Sequence, residues 1–171
     1  EHQEAIWQGI KDGTLQVIAT DHCSFDFHGD KQNGKDDFTK CPNGAPGVET
    51  RMPIVFSEGV SKGRLSLNEF AAVTSTNPAK IFGMYPKKGV LAPGSDADIV
   101  LMNPDMEVTI TKNILHENVD YTPYEGIQVK GWPVMTMVRG QAVVENERLQ
   151  VPLGFGRYIN RKPVKYTELL K

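Results

Sequence analysis

Apolar positions follow two different rhythms along this chain. Up to about residue 86 they recur at helical spacing. From residue 89 onward they alternate, or run in short blocks bounded by turn residues. Ala5, Ile6 and Ile10 share one face of a predicted helix over 1–12, with Gly13 as its stop. Leu15-Gln16-Val17-Ile18-Ala19 is a short apolar run that predicts a buried strand, and Thr20-Asp21-His22-Cys23 follows it. Residues 24–47 turn polar and rich in Gly and Pro, which predicts a long surface loop of the lid or binding kind. Its middle, 30–40, is dense in charge and is expected to be solvated and mobile. Met52, Val55 and Phe56 predict a helix over 48–59. Ser66-Leu67-Asn68-Glu69 fits a capping box, ahead of a helix that buries Leu67, Phe70 and Val73. Asn77-Pro78 predicts another short helix, with Ile81 and Phe82 as its apolar face and Gly83 at its end.

The second rhythm predicts strands. Pro93-Gly94 is a turn. Residues 97–102 read as a strand stopped by Asn103-Pro104, and 108–110 alternate weakly. Residues 134–138 and 142–144 flank Arg139-Gly140-Gln141 as a hairpin. The fold class is therefore α/β: a helix–strand unit followed by a small β region, with a boundary near 84–89. The tail from Phe155 to Lys171 is too polar for a core of its own. It keeps Phe155, Tyr158, Ile159, Tyr166, Leu169 and Leu170, so it either frays or docks on another surface.

Composition narrows the function classes. The chain has 171 residues, 39% of them hydrophobic and 23% charged, with a formal net charge of −2. So even a balance gives no electrostatic reason to expect nucleic acid or an anionic membrane as a partner. No apolar run approaches the length of a membrane span. The chain opens at Glu1 already inside a helical pattern, which leads us to expect a piece of a larger protein. Two cysteines, Cys23 and Cys41, match no zinc spacing and point to a reducing, cytoplasmic compartment.

Asp21 is the leading chemical candidate. A carboxylate just past a strand end sits where α/β barrels keep their chemistry. Asp21 is suited to hold a metal ion or carry a proton. It is equally suited to cap the following turn. The chain has no His-x-His and no His-Glu-x-x-His to complete a metal site. His22 neighbours Asp21, so along an extended backbone its side chain points the other way, towards a supporting or packing role. His28 reads as a surface residue, and His2 and His116 have no partners in register. Cys23 reads as a small buried packing residue.

Several stretches resemble one family. Lys88-Gly89-Val90-Leu91-Ala92-Pro93-Gly94-Ser95-Asp96-Ala97-Asp98-Ile99-Val100 resembles the segment by which amidohydrolase-superfamily chains leave their barrel for a β-sandwich. Thr20-Asp21-His22-Cys23 resembles the last-strand metal motif of dihydropyrimidinases and hydantoinases. Lys40-Cys41-Pro42-Asn43-Gly44-Ala45-Pro46-Gly47-Val48-Glu49 resembles their substrate loop. Asn118-Val119-Asp120-Tyr121-Thr122-Pro123-Tyr124-Glu125-Gly126 resembles a stretch of that branch's sandwich. The resemblance runs in order from about residue 1 to 158. It implies the C-terminal third of a cyclic-amide hydrolase. Residues 1–86 would be the end of a metal-dependent (β/α)8 barrel, 87–150 a small β-sandwich region, and 151–171 a C-terminal arm.

The resemblance also implies a mechanism. In this family two divalent metals, usually zinc, sit at the barrel mouth. They are held by four histidines, a carboxylated lysine and the last-strand aspartate. A hydroxide bridging the metals attacks the ring amide, and the aspartate passes its proton to the leaving nitrogen. By resemblance Asp21 is that metal ligand and proton carrier, with the remaining ligands outside this chain. Asn43 contacts the substrate ring through its main chain, and Gly44 lets the backbone approach closely. The substrate is a small cyclic amide, and the assembly a homotetramer reached by C-terminal arms. The fragment alone is expected to be inactive. Collapsin-response mediator proteins offer the alternative of a non-catalytic oligomeric binding protein. They share the style of Val73-Thr74-Ser75-Thr76-Asn77 and Gly156-Arg157-Tyr158-Ile159, but typically carry a non-ligand residue where this chain has Asp21.

Overall fold

Trp7, rather than Ile6, completes the inward face of the first helix. The computed structural model describes residues 2–164, so Tyr166, Leu169 and Leu170 lie outside the described residues. Helix α1, His2–Lys11, buries Ile10 against Leu65 and Val73, with Trp7 and Ile18 at the margin. Ile6 stays 54% exposed. The Arg64 guanidinium lies 5.5 Å from the Trp7 ring centroid, a cation–π contact that covers the indole.

Helix α2, Arg51–Val55, continues as a π-helical turn over Phe56–Ser61. It begins later than the apolar pattern predicts, because Val48 is exposed and lies in a turn. Helix α3, Leu67–Ala71, starts with the predicted capping box: Glu69 N–H donates to Ser66 Oγ at 3.2 Å, and Ser66 N–H donates to Glu69 Oε2 at 2.7 Å. The predicted break at Asn77 does not occur. A π-helical turn over Ala72–Thr76 carries α3 directly into α4, Asn77–Ile81. Pro78 has no N–H, and its ring crowds the carbonyl four residues back. A wider turn just before it lets the chain stay helical. These helices bury Phe70, Val73 and Ala79, whereas Leu67, Ile81 and Phe82 are exposed.

The predicted buried strand at 15–19 is instead an extended, unpaired segment. Leu15 N–H reaches Gly9 O at 2.8 Å and Ile18 N–H reaches Val73 O at 3.1 Å. Arg51 Nη1 donates to Ile18 O at 2.8 Å, and Asn77 Nδ2 to Gln16 O at 2.9 Å. A barrel strand is made by ladders on both of its edges. No strand among the described residues lies beside this one, so no ladder forms and Leu15 is exposed.

Four strands form one antiparallel meander in the order β1-β2-β3-β4. They are β1 Ile99–Thr109, β2 Gln128–Val138, β3 Gln141–Glu145 and β4 Arg148–Leu149. Asn103-Pro104 does not stop β1. The β1–β2 register shifts between Asn103 and Glu107, so Pro104 falls in an irregularity where no ladder N–H is needed. The predicted hairpin turn at Arg139-Gly140 has positive φ at both residues, 52° and 79°. That is the two-residue geometry whose twist matches the flanking strands. Asn146-Glu147, at φ 49° and 61°, repeats it between β3 and β4 without a glycine to announce it.

The core crosses the 84–89 boundary. Ile110, Leu115, Val129 and Trp132 are buried beneath Ile54 of α2 and Tyr124. Val55, Phe56 and Phe70 form a second cluster with Met102 of β1. At the junction, Asp96 bonds both Lys87, at 2.9 Å, and Lys88, at 3.0 Å. Asp98 also holds Lys88. Burial pulls the Lys88 ammonium down, but its two carboxylate partners prevail and hold it above the usual lysine value. The described part of the arm follows its own chain. Arg139 Nη2 donates to Phe155 O at 2.8 Å, and Lys162 N–H donates to Gly83 O at 3.0 Å. Tyr158 remains 88% exposed. Among the described residues, no helix is long and apolar enough to cross a membrane.

Gly131 sets the distance between α2 and the sheet. Its φ is 102°, and a Cβ there would collide with the Phe56 ring. Gly131→Ala is therefore expected to lower stability by roughly 2 kcal/mol or more, from backbone strain and overpacking together. Denaturant midpoints of the folded variant and the parent measure this; equal midpoints would contradict the close approach.

Candidate functional site

Asp21 follows the extended segment and has a left-handed backbone, with φ 48°. Aspartate is one of the few residues that tolerate this region, and such a conformation in a non-glycine residue is a pointer to function. Its side chain is exposed. The capping alternative loses its donor. An aspartate-led turn uses the N–H two residues on, but the Cys23 N–H goes to Ala45 O at 3.2 Å.

His22 turns away to hold backbone. Its Nδ1 accepts from Gly47 N–H at 3.1 Å and from Val48 N–H at 3.3 Å. A ring accepting at Nδ1 carries its proton on Nε2. Nδ1 is thereby committed to the loop rather than open to a metal.

The loop bearing Asn43 is drawn against the Asp21 segment. The Lys31 ammonium donates to Pro42 O and Gly44 O, both at 2.5 Å, on either side of Asn43. Gly44 has φ 102°, and a Cβ there would strike Cys23. Only glycine permits so close a backbone approach. Asn43 is exposed, and no hydrogen bond among the described residues uses its peptide N–H or C=O. Cys23 is exposed rather than buried, although the Gly44 backbone passes close to its Cβ. Both cysteines are free thiols. The charged middle of the loop is solvated as expected, with Phe38 85% exposed, yet it holds two short 3-10 turns, Lys31–Gly34 and Phe38–Lys40.

A third segment, 116–121, braces this loop at two places. Asp120 accepts from Phe27 N–H at 2.6 Å and from His28 N–H at 2.9 Å, and its Oδ2 lies 2.6 Å from His28 Nδ1. In return, Asp120 N–H donates to Asp26 Oδ1 at 3.1 Å. Glu49 N–H donates to Glu117 Oε1 at 3.1 Å, while His116 N–H donates to Glu49 Oε2 at 2.7 Å. His116 Nδ1 lies 2.7 Å from Glu49 Oε1. The Glu117 side chain is 6% exposed, and its Oε1 is 3.8 Å from His22 Nδ1. Its Oε2 is buried without a partner among the described residues.

Sequence reading missed these partners. His116 is paired, not bland, and His28 is exposed but bonded. The pairs join residues 67 to 94 positions apart, and no local pattern reveals such distances. The Glu49 carboxylate holds His116 above the usual histidine value. The His28 N–H bond, followed by those from Phe27 and the His28 ring, holds Asp120 below the usual carboxylate value against desolvation.

Among the described residues, no three His, Cys, Asp or Glu side chains are grouped to hold a metal. Asp21 is thus one exposed carboxylate donor, and a metal there needs ligands from elsewhere. The profile described as "Amidohydrolase family" matches residues 1–143.

The chain belongs to the amidohydrolase family.

Within the amidohydrolases it is similar to D-hydantoinase of Geobacillus stearothermophilus, at 47% identity over 99% of this chain and 36% of that relative. It is 46% identical to D-phenylhydantoinase of Escherichia coli, over 94% of this chain and 35% of the relative. The crystal structure of dihydropyrimidinase from Brevibacillus agri NCHU1002 superposes with a TM-score of 0.93 at 50% identity, covering 95% of this chain and 35% of that one. An L-hydantoinase from Arthrobacter aurescens gives 0.82 at 39% identity, over 91% of this chain and 34% of that one. The chain spans about 36% of the length of the first of these relatives.

The His116–Glu49 pair generates a pH dependence with a definite sign. A raised folded pKa means the pair's full stabilisation is present below the unfolded histidine value, about 6.5. It is lost as pH rises from there through the raised value. Ring NMR titration of His116 is expected to give a pKa above the ordinary value, and His116→Gln is expected to flatten that part of the stability–pH curve. A ring pKa at or below the ordinary value would remove the pair from the account.

Proposed function

We propose that this chain is the C-terminal part of a metal-dependent amidohydrolase that opens cyclic amide rings, dihydropyrimidines or hydantoins. On this reading, residues 1–86 complete a (β/α)8 barrel, 87–150 belong to a β-sandwich region, and 151–171 form an arm used in a homotetramer. The observation that carries the proposal is the Cys23 N–H to Ala45 O bond. It sets the strained, exposed Asp21 beside the loop whose Asn43 peptide is free. The hydantoinase and dihydropyrimidinase names of the relatives supply the substrate class.

Two divalent metals, zinc in our reading, would supply Lewis acidity and an activated water when bound. Asp21 would hold one of them and, as a carboxylate, would carry a proton towards the leaving ring nitrogen. Asn43 orients the ring. A cyclic ureide presents alternating N–H and C=O groups, which a peptide unit pairs along one edge. Gly44 keeps that peptide close to Cys23 and hence to Asp21. His22 supports the loop through its bonds to Gly47 and Val48. The free thiols fit a reducing, cytoplasmic setting. The retained Asp21 favours the enzyme over the non-catalytic binding-protein alternative.

In the complete protein, Asp21→Asn is expected to lower kcat on dihydrouracil or hydantoin by about 10²–10⁴-fold and to reduce metal content. Parental rates with full metal occupancy would end the assignment. The 171-residue chain alone, supplied with zinc, is expected to hydrolyse neither ring, since one carboxylate falls short of the three protein ligands of a catalytic zinc site. Turnover by the purified fragment, free of longer enzyme, would overturn this.

A further inference from the structure

We propose that Asp120 is a positioning residue for the substrate loop, acting from the β-rich region through a chain of bonds that ends on either side of Asn43. This inference rests on the proposed cyclic-amide hydrolysis for its kinetic consequence, and on the geometry alone for its structural one. The route is short. Asp120 holds the Asp26–His28 turn by the bonds to Phe27 N–H, His28 N–H and the His28 ring, and by its own N–H to Asp26. Within that turn, Asp26 O accepts Lys31 N–H at 3.1 Å. The Lys31 side chain then grips the Pro42 and Gly44 carbonyls. The Phe27 ring, 5.7 Å from that of Tyr121, packs the same turn onto the same segment.

Glu117 anchors the far end of the loop. It accepts Glu49 N–H and lies beside His22, which holds Gly47 and Val48. Asn43 is thus suspended between two anchor points, 117 and 120, only three residues apart. Its own peptide has no bond of its own among the described residues to fix it. The orientation of its N–H and C=O therefore depends on the anchors. Removing Asp120 frees one side of the suspension and removes no bond made by Asp21 itself. The loss belongs to ring binding rather than to the proton transfer.

The test uses the complete, metal-loaded protein with Asp120→Ala and Asp120→Asn. Hydrogen exchange over residues 40–48 without substrate is the first readout, and KM against kcat on dihydrouracil and hydantoin the second. Asp120→Ala is expected to speed exchange about tenfold and raise KM about tenfold, with kcat nearly unchanged, as expected when bonds to a charged acceptor are lost from a binding element. Asp120→Asn keeps one acceptor oxygen but turns an NH2 group towards the donors that the other oxygen served, and is expected to recover only part of both losses. Unchanged exchange over 40–48 in folded Asp120→Ala, or a fall in kcat at constant KM, would overturn the proposal. Should Asp120→Ala not fold, Asp120→Asn carries both readouts, with smaller shifts expected and no shift refuting. A parent protein inactive on both rings would count against the proposed reaction alone, because the exchange arm still decides the positioning role.

Discussion

The contact between the Phe56 ring and the backbone of Gly131 fixes where everything else lies. A ring pressed on a residue without a side chain leaves no slack between α2 and β2. Polar bonds lock the same contact on both sides. Ser57 Oγ accepts Lys130 N–H at 3.0 Å, and Ser61 Oγ donates to Lys130 O at 3.0 Å. The start of α2 is therefore held relative to the sheet. Arg51, its first residue, holds Ile18 of the extended segment, and Glu49, two residues earlier, meets the 116–121 segment. A single helix–strand contact thus relates the Asp21 segment, the Asn43 loop and the segment that braces them.

Loop N–H groups have no ladder to use, and burying them unpaired is costly. In this chain carboxylates and a histidine ring take that place. Asp120, Glu49, Glu117 and His22 together accept six backbone N–H bonds across the candidate site. The net charge of −2 hides this arrangement, because a sum over the whole chain does not say where the carboxylates lie. Glu117 Oε2 is the exception, a buried oxygen with no bond among the described residues. A buried group of this kind calls for an explanation wherever it occurs, and this one lies beside the ring that secures the loop.

Local chemistry was legible and long-range chemistry was not. The Ser66–Glu69 capping box and the Arg139-Gly140 turn were visible because each is encoded within four residues. Asp21, Asn43, His22 and Gly44 were placed by motif, and the structure brings their segments side by side without a metal cluster among the described residues. The helix runs on through Asn77 because a π-helical turn can absorb a proline, and nothing in composition marks that choice. The run at 15–19 lacks a ladder for a different reason: no partner strand lies beside it among the described residues. Its apolar content is right for a strand, but strand geometry is a property of pairs. His116 and His28 looked isolated because their carboxylates lie 67 and 92 residues away.

The unpaired segment and the proposed active site share one cause. Residues 15–22 carry the proposed metal ligand at their end, yet they are tied to the helices by only a few bonds, to Gly9 of α1, Arg51 of α2, Val73 of the π-helical turn and Asn77 of α4. The N–H and C=O groups of this run that take no such bond among the described residues are available to a neighbouring strand. Asp21 is left-handed and exposed at the tip of that run. Its backbone is therefore specified on one side by the Cys23–Ala45 bond and awaits specification on the other. Precise ligand placement needs both sides held. A chain spanning about 36% of its relatives' length then builds a stable loop, helix and sheet scaffold while leaving its principal carboxylate half-constrained. The scaffold is local to this chain; on the proposed reading, the chemistry depends on strands that would complete a barrel beside residues 15–22.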